Sequence, residues 1–141
     1  MKKISTLITS LLFLSILSTA ATAGTYRTGL LSIPQTWSAD LDSGSIDSGT
    51  RDFWFHAVNA NRRFFEPQNG ATFGIYSGGG GISEQDCIDT PKTDRRLHVR
   101  RLDVGTYFCY LTSDGRNGVF RVNQPIGDSP GTMEIGFTTW E

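Results

Sequence analysis

The feature that most constrains the fold of this sequence is a two-residue alternation in its C-terminal third. Residues 106–112 place aromatic or apolar side chains on both faces of an extended chain, which predicts a central strand covered on both sides. Met133, Ile135 and Phe137 alternate with small or polar residues, as in a strand with one buried face. After Ala23, apolar residues nowhere recur with the spacing of a long amphipathic helix. The pattern therefore predicts an all-β protein.

Several segments have the composition and length of β-strands. They are residues 29–32, 36–41, 53–59, 62–65, 72–76, 97–102, 106–112, 119–123 and 132–139. Their spacing suits a sandwich or a barrel, and of these we predict a single antiparallel β-sandwich, immunoglobulin-like or jelly-roll-like. Asp-Gly and Asn-Gly pairs within residues 113–118 predict a hairpin at that point. Residues 77–92 open with a run of glycines and continue with polar residues, which predicts a long mobile loop.

The first 23 residues have the three parts of a secretory signal peptide. Lys2 and Lys3 form a cationic start, residues 7–17 are apolar, and residues 21–23 read Ala-Thr-Ala, a small-residue cleavage site. The apolar part is too short to cross about 30 Å of hydrocarbon, so we expect cleavage and no membrane span. The prediction is a signal peptide at 1–23 and a single domain at 24–141, secreted or periplasmic.

The charge balance narrows the classes of partner. Without Lys2 and Lys3 the 13 basic residues become 11 against 14 acidic ones, so the net charge moves from -1 to -3. A general nucleic-acid binder would show a clearly basic balance, and we expect no nucleic acid as a partner. The prediction is a monomer without a cofactor.

Two cysteines lie beyond the leader, Cys87 and Cys109. In an oxidising compartment they are expected to form one disulfide. A bridge over their separation is worth roughly 3 kcal/mol in the chain-entropy model, and it would pin the predicted loop to the central strand. No C-x-x-C spacing is present, so a structural role is favoured over a redox role.

Most motifs of catalysis or metal binding are missing or weak. Asp40, Asp42 and Asp47 around Gly44 suggest an oxygen-rich cation loop, but a hairpin turn with Asx hydrogen bonds is the favoured interpretation, and we predict no metal site. No H-E-x-x-H or G-x-S-x-G motif occurs. The alternative that stays open is a small glycosidase-like hydrolase that uses paired carboxylates.

The clearest local charge asymmetry is a basic stretch at residues 92–101. Arg95, Arg96, Arg100 and Arg101 belong to it and are candidate binding residues for an acidic polysaccharide, lipid headgroups or a protein. The favoured alternative is an edge strand that its charges protect from pairing. The tryptophans and phenylalanines are expected mainly in the core, with an exposed aromatic platform as the less favoured interpretation.

Two resemblances bear on the fold and its role. Residues 103–109 are similar to the D-x-G-x-Y-x-C signature of immunoglobulin domains, which indicates a sandwich corner. Nearly the whole of 24–141 resembles a group of uncharacterised bacterial β-rich modules, secreted or appended to some serine/threonine kinases. The segments that carry this likeness are Trp37 with 41–44, 52–55, 63–71, 105–112 with 114–116, and 137–141. Recurrent residues match at Asp42, Gly44, Asp52, Trp54, Pro67, Asn69, Gly70, Gly115 and Arg116.

The second resemblance implies a non-catalytic extracytoplasmic domain. Within it, Asp52 is expected to accept hydrogen bonds from the backbone or from Arg116, and Trp54 to fill the space between sheets. These three residues join the four arginines as candidate binding residues. We therefore predict a secreted binding or interaction module, with a glycan or an envelope protein as partner. A third hypothesis is a structural or inhibitory protein whose mobile loop 77–92 inserts into a target.

Overall fold

A computed structural model describes residues 24–47 and 51–141, so the predicted leader at 1–23 lies outside the described residues. The elements in chain order are β1 Thr25–Pro34, β2 Ser38–Asp40, β3 Ser45–Ile46, β4 Phe53–Asn59, β5 Arg62–Pro67, β6 Thr72–Ile75, α1 Glu84–Asp89, β7 Leu97–His98, a 3₁₀ helix Val99–Arg101, β8 Tyr107–Leu111, β9 Asn117–Val122 and β10 Thr132–Trp140. Strands dominate, which confirms the all-β prediction.

The strands form two five-stranded antiparallel sheets. The first has the order β1-β10-β9-β8-β6 and the second the order β3-β2-β4-β5-β7. The strand β6 therefore lies at one edge of the first sheet and β7 at one edge of the second. The chain between Ile75 and Leu97 passes from one edge to the other, and this passage builds the candidate site described below.

Aromatic rings from both sheets share one core. Phe53 and Phe65 of the second sheet stack with ring centroids 4.6 Å apart, and Phe108 and Phe120 of the first sheet stack at 4.9 Å. Phe65 meets Phe120 at 5.2 Å, so the two pairs contact each other. Each ring is at most 2% exposed. Burial of this kind stabilises a domain by about 1.5–3 kcal/mol per large side chain, which holds the sheets together.

The strand predicted to be central is central. β8 lies between β9 and β6, and Phe108, Cys109 and Tyr110 are fully buried. The predicted hairpin connects β8 to β9, with Tyr110 opposite Gly118. A Cβ atom at Gly118 would lie 2.2 Å from the Tyr110 ring, so this position requires glycine. The Tyr110 hydroxyl hydrogen-bonds Thr139 Oγ1 at 2.7 Å, and burial raises the pKa of Tyr110.

Two of the predicted elements differ from those observed. The predicted loop 77–92 contains the helix α1, because Ser83 Oγ accepts the backbone N–H of Asp86 while the Asp86 carboxylate accepts the backbone N–H of Ser83. The predicted strand 97–102 ends after His98 and continues as the 3₁₀ helix, whose first turn is capped by His98 Nδ1 accepting the Arg100 N–H at 3.2 Å.

The cysteines pair as predicted. The sulfur atoms of Cys87 and Cys109 are 2.04 Å apart, and both residues are fully buried. Cys87 belongs to α1 and Cys109 to β8. The bond therefore fixes α1, which is part of the chain that passes between the sheet edges, onto the first sheet.

Candidate functional site

A cleft of about 440 Å³, the basic cleft, lies between the edge strands β6 and β7. Its cations are Lys92, Arg95, Arg96 and Arg101, and its remaining lining consists of Phe73, Gly74, Ile75, Pro91, Thr93 and Leu97. Three of the four arginines predicted as binding residues in the basic stretch thus meet at one place. The apolar part of the lining was not predicted, because Phe73 and Ile75 belong to a different sheet from the basic segment.

Of the residues that the structure describes, no carboxylate lines the basic cleft. Among the ion pairs of the described residues, none involves Arg95 or Arg101. The guanidinium of Arg96 lies 4.0 Å from the centroid of the Phe64 ring and 4.0 Å from Glu66 Oε2. The cleft therefore concentrates positive charge in a protein with more acids than bases, and an anion entering it meets no local repulsion from a described lining residue.

Short-range contacts attach one wall of the cleft, formed by residues 91–93, to the edge strand β6. Phe73 and Thr93 exchange two backbone hydrogen bonds of 3.0 and 2.9 Å. Gly74 faces the Pro91 carbonyl oxygen so closely that a Cβ atom there would lie 1.9 Å from it. The wall is therefore bound to the β6 edge before any ligand arrives, which limits the entropy lost on binding.

Lys92 differs from the three arginines of the cleft. Its amine donates hydrogen bonds to the carbonyl oxygens of Cys87 and Thr90, the latter at 3.0 Å. Desolvation by burial lowers the pKa of Lys92. Since two of its donors are used on the end of α1, Lys92 braces the wall, and the arginines are the cations left to meet a ligand.

Arg100 does not join the other predicted arginines. The 3₁₀ helix turns it to the opposite side, where it lines two cavities together with Arg63 and Gly127. His98 also lines one of these cavities, and both of its ring nitrogens have partners: Nε2 donates to the Asn61 carbonyl at 3.0 Å and Nδ1 accepts from Arg100. The basic stretch is thus divided between two sides of the second sheet's edge.

Trp54 lies on the outer face of the second sheet, and the prediction that it fills the space between the sheets is wrong. Phe53 and Phe55 point inward on β4, so alternation turns Trp54 and His56 outward. The Trp54 and His56 rings stack 3.9 Å apart at 6°, and Trp54 Nε1 donates to the Thr36 carbonyl at 3.0 Å.

The outer face carries a row of rings that leads toward the cleft. His56 lies 6.5 Å from Phe64, and Arg96 covers Phe64. His56 Nδ1 and Glu66 Oε2 are 2.8 Å apart. One face of the Trp54 ring is therefore already in contact with His56, and one face of the Phe64 ring with the Arg96 guanidinium.

Asp52 is a buried structural carboxylate. Its Oδ2 accepts the Leu41 N–H at 2.7 Å, and its Oδ1 accepts the N–H and the hydroxyl of Ser113 at 2.7 and 2.8 Å. Burial raises the pKa of Asp52, and these hydrogen bonds oppose the rise. The expected backbone bonds are therefore present, while Arg116 reaches a different carboxylate.

The partner of Arg116 is Asp42. Arg116 Nη1 lies 3.1 Å from Asp42 Oδ1, and the guanidinium lies over the Tyr26 ring at 3.8 Å. Burial raises the pKa of Asp42, opposed by hydrogen bonds from Thr112 and Arg116. Arg116 therefore connects the turn after β8 to the turn after β2.

Oxygen atoms of Asp40, Asp42 and Asp52 lie within 4.8 Å of one another. Asp40 Oδ1 accepts the backbone N–H groups of Asp42 and Ser43 at 2.9 and 3.0 Å, which confirms the predicted Asx turn. Asp47 is instead exposed beside Arg51. Backbone amides, hydroxyls and Arg116 occupy the three carboxylates, and none of the three lines the basic cleft. The cluster braces three turns.

Comparisons with protein-family models, curated proteins and solved structures give no match. Within residues 24–47 and 51–141, no helix has the length and apolar character needed to span a membrane. Of the cavities described, the basic cleft is the one that brings three arginines and an apolar lining together without a carboxylate among its described lining residues.

Proposed function

We propose that this protein is a secreted, non-catalytic binding module that binds an anionic partner of the bacterial envelope or exterior, an envelope protein or a glycan. The observation that carries the proposal is the convergence of Arg95, Arg96 and Arg101 on one cleft that no carboxylate of the described residues lines. Charge placed this way favours encounter with an anion and specifies its orientation.

The main competing explanation is protection of a sheet edge. Cations on an edge strand discourage pairing with another chain, and β7 is a short edge strand beside the arginines. Protection needs charges that point into open solvent. Arg95, Arg96 and Arg101 are exposed and meet this condition, but they also line a concave surface that contains Ile75 and Leu97, which protection does not require and which supports a binding role.

The glycosidase-like hydrolase remains the alternative function. It requires two carboxylates free to reach a substrate in a cleft. Asp42 and Asp52 are each at most 8% exposed, and their oxygens accept hydrogen bonds from Arg116, Leu41 and Ser113. These contacts favour a structural role for the pair and therefore support the binding proposal.

The proposal includes export and the class of the fold. The sequence pattern of residues 1–23 supports a cleaved leader, and the buried disulfide is compatible with an oxidising compartment. The two antiparallel sheets around one core support a β-sandwich, for which the immunoglobulin-like and jelly-roll-like types are the candidates. The resemblance to bacterial β-rich modules supports the same assignment.

The experiment is a binding survey with protein purified from cells that express the full chain. Wild type, the double variant Arg95→Glu/Arg101→Glu and the control Arg121→Glu are tested on an envelope glycan array and on separated envelope proteins. Arg121 is exposed on β9 and does not line the cleft. We expect binding by wild type and control, and at least about tenfold weaker binding by the double variant. Equal binding by all three, or no binding by wild type, would overturn the proposal.

A further inference from the structure

We infer that the occupant of the basic cleft is a short acidic segment of another polypeptide. Its carboxylates would pair with Arg95, Arg96 and Arg101, and one aliphatic side chain would lie against Ile75 and Leu97. This inference rests on the proposed function and names the chemistry of its partner.

The charges of the cleft favour a ligand with several carboxylates. Arg95 and Arg101 have no ion-pair partner among the described residues, and Arg96 reaches Glu66 only at 4.0 Å. Planar guanidinium groups bind carboxylates through two parallel hydrogen bonds, which a peptide carrying Asp or Glu supplies. Several acidic groups in one ligand are needed to engage several arginines at once.

The apolar lining favours a ligand that also carries an aliphatic group. Ile75 ends the edge strand β6 and is 48% exposed, although large aliphatic side chains are commonly buried. Leu97, which is partly buried, continues this surface across the cleft. A peptide offers an aliphatic side chain beside its carboxylates, so it can contact both the arginines and the apolar residues that line the cleft.

The neighbouring rings argue against an acidic glycan. Pyranose rings bind proteins by stacking on open aromatic faces. Here Trp54 stacks on His56, and Arg96 covers Phe64 at 4.0 Å. A sugar would have to displace Arg96 from Phe64 to obtain a stacking surface there, and that displacement would separate the cation from its position in the cleft.

The test uses an array of immobilised octapeptides whose positions are varied among Asp, Glu, Val, Leu, Ser and Lys. We expect the bound peptides to contain at least two acidic residues and an adjacent aliphatic one. The best binder is then labelled with a fluorophore and titrated by fluorescence anisotropy. Matched versions replace each acid by its amide, or the aliphatic residue by Ser. An oligosaccharide of uronic acids is titrated in parallel.

Three protein variants separate the contributions. Arg95→Glu/Arg101→Glu is expected to weaken peptide binding at least about tenfold, Ile75→Ser about threefold or more, and Arg121→Glu not at all. Thermal unfolding of each variant verifies that it is folded. The amide version of the peptide is expected to lose binding, and the Ser version to bind more weakly than the parent.

The outcomes distinguish this inference from the proposed function. Binding of the uronic acid oligosaccharide, weakened by the arginine substitutions and unaccompanied by peptide binding, would overturn the acidic peptide and leave the binding module standing. Bound peptides without enrichment in acidic residues would also overturn it. Failure of every anionic probe, together with aggregation of the double variant, would contradict both proposals and indicate edge protection.

Discussion

The guanidinium of Arg96, the residue before the edge strand β7, lies 4.0 Å from the centroid of the Phe64 ring on the neighbouring strand β5. His98 approaches the same ring edge-on at 5.4 Å. Arg96 is therefore held at the mouth of the cleft by the aromatic row on the outer face. This contact joins the row of rings to the cations of the basic cleft.

Removal of the ring is expected to weaken binding without unfolding the protein. Phe64→Leu keeps an apolar side chain but loses the cation–π contact, worth about 0.5–1 kcal/mol at an exposed site. We expect the affinity for the cleft ligand, measured by calorimetric titration, to fall about two- to fivefold, because a loss of about 0.5–1 kcal/mol corresponds to that factor. Phe64→Trp restores a ring and is expected to restore affinity. Unchanged affinity in the leucine variant would show that Arg96 needs no support from Phe64.

The wall of the cleft has its own test at Gly74. A methyl group there would clash with the Pro91 carbonyl, so Gly74→Ala is expected to lower the free energy of unfolding by about 2 kcal/mol and to weaken ligand binding. Denaturant unfolding measures the first effect and titration the second. Gly79→Ala is the matched control, because a Cβ at Gly79 meets nothing within 4 Å. Similar stability in both variants would contradict the close approach.

Loss of the disulfide is expected to affect both stability and the site. Replacement of Cys87 and Cys109 by Ser removes a bond worth roughly 3 kcal/mol and frees α1 from β8. Lys92 then loses its fixed carbonyl partner at Cys87, so binding in the cleft should weaken. Denaturant unfolding of the double serine variant, compared with chemically reduced wild type, measures the effect. Full stability and full binding after reduction would contradict it.

The buried carboxylate Asp52 gives a pH prediction. Because burial raises its pKa in the folded protein, the folded state holds the proton more strongly than the unfolded chain does. The contribution of Asp52 to the free energy of unfolding is therefore largest below its ordinary pKa of 3.8. It falls as the pH rises through the raised pKa of the folded protein, and it is constant at higher pH. The stability advantage of wild type over Asp52→Asn should be largest at the acidic end and shrink as the pH rises.

The free energy of unfolding of wild type and of Asp52→Asn, measured from about pH 3 to pH 7, tests the direction of this pH dependence. Asp128→Asn, at an exposed position, is the control and is expected to show no comparable change. An advantage that grows with pH would mean that the hydrogen bonds from Leu41 and Ser113 outweigh burial.

The sequence predicts features that depend on local alternation and turn chemistry. Tyr107–Leu111 form the expected central strand, and Asp114-Gly115 lies in the turn of the expected hairpin, because both signals act between near neighbours. The Asn117-Gly118 pair lies in β9 instead of in the turn. The pairing of Cys87 with Cys109 follows from there being only two cysteines.

Other features depend on tertiary contacts, or on local signals other than strand alternation. Ser83 and Asp86 have the spacing of a capping box and mark the start of α1. The outward position of Trp54 follows from alternation with Phe53 and Phe55, whereas composition alone favoured the core. The division of Arg100 from Arg101 arises from a single 3₁₀ turn, which residues 97–102 do not reveal by their strand-like pattern. The partnership of Arg116 with Asp42 joins turns that are distant in sequence.

The most direct measurement of the central claim locates the ligand by NMR. Backbone amide shifts are followed while the best-binding partner from the survey is added to uniformly labelled protein. We predict that the largest shift changes fall on Phe73, Ile75, Thr93, Arg95 and Arg101, around the basic cleft. Changes centred instead on Asp42 and Asp52, or on the outer face of the first sheet, would contradict a binding module that uses this cleft.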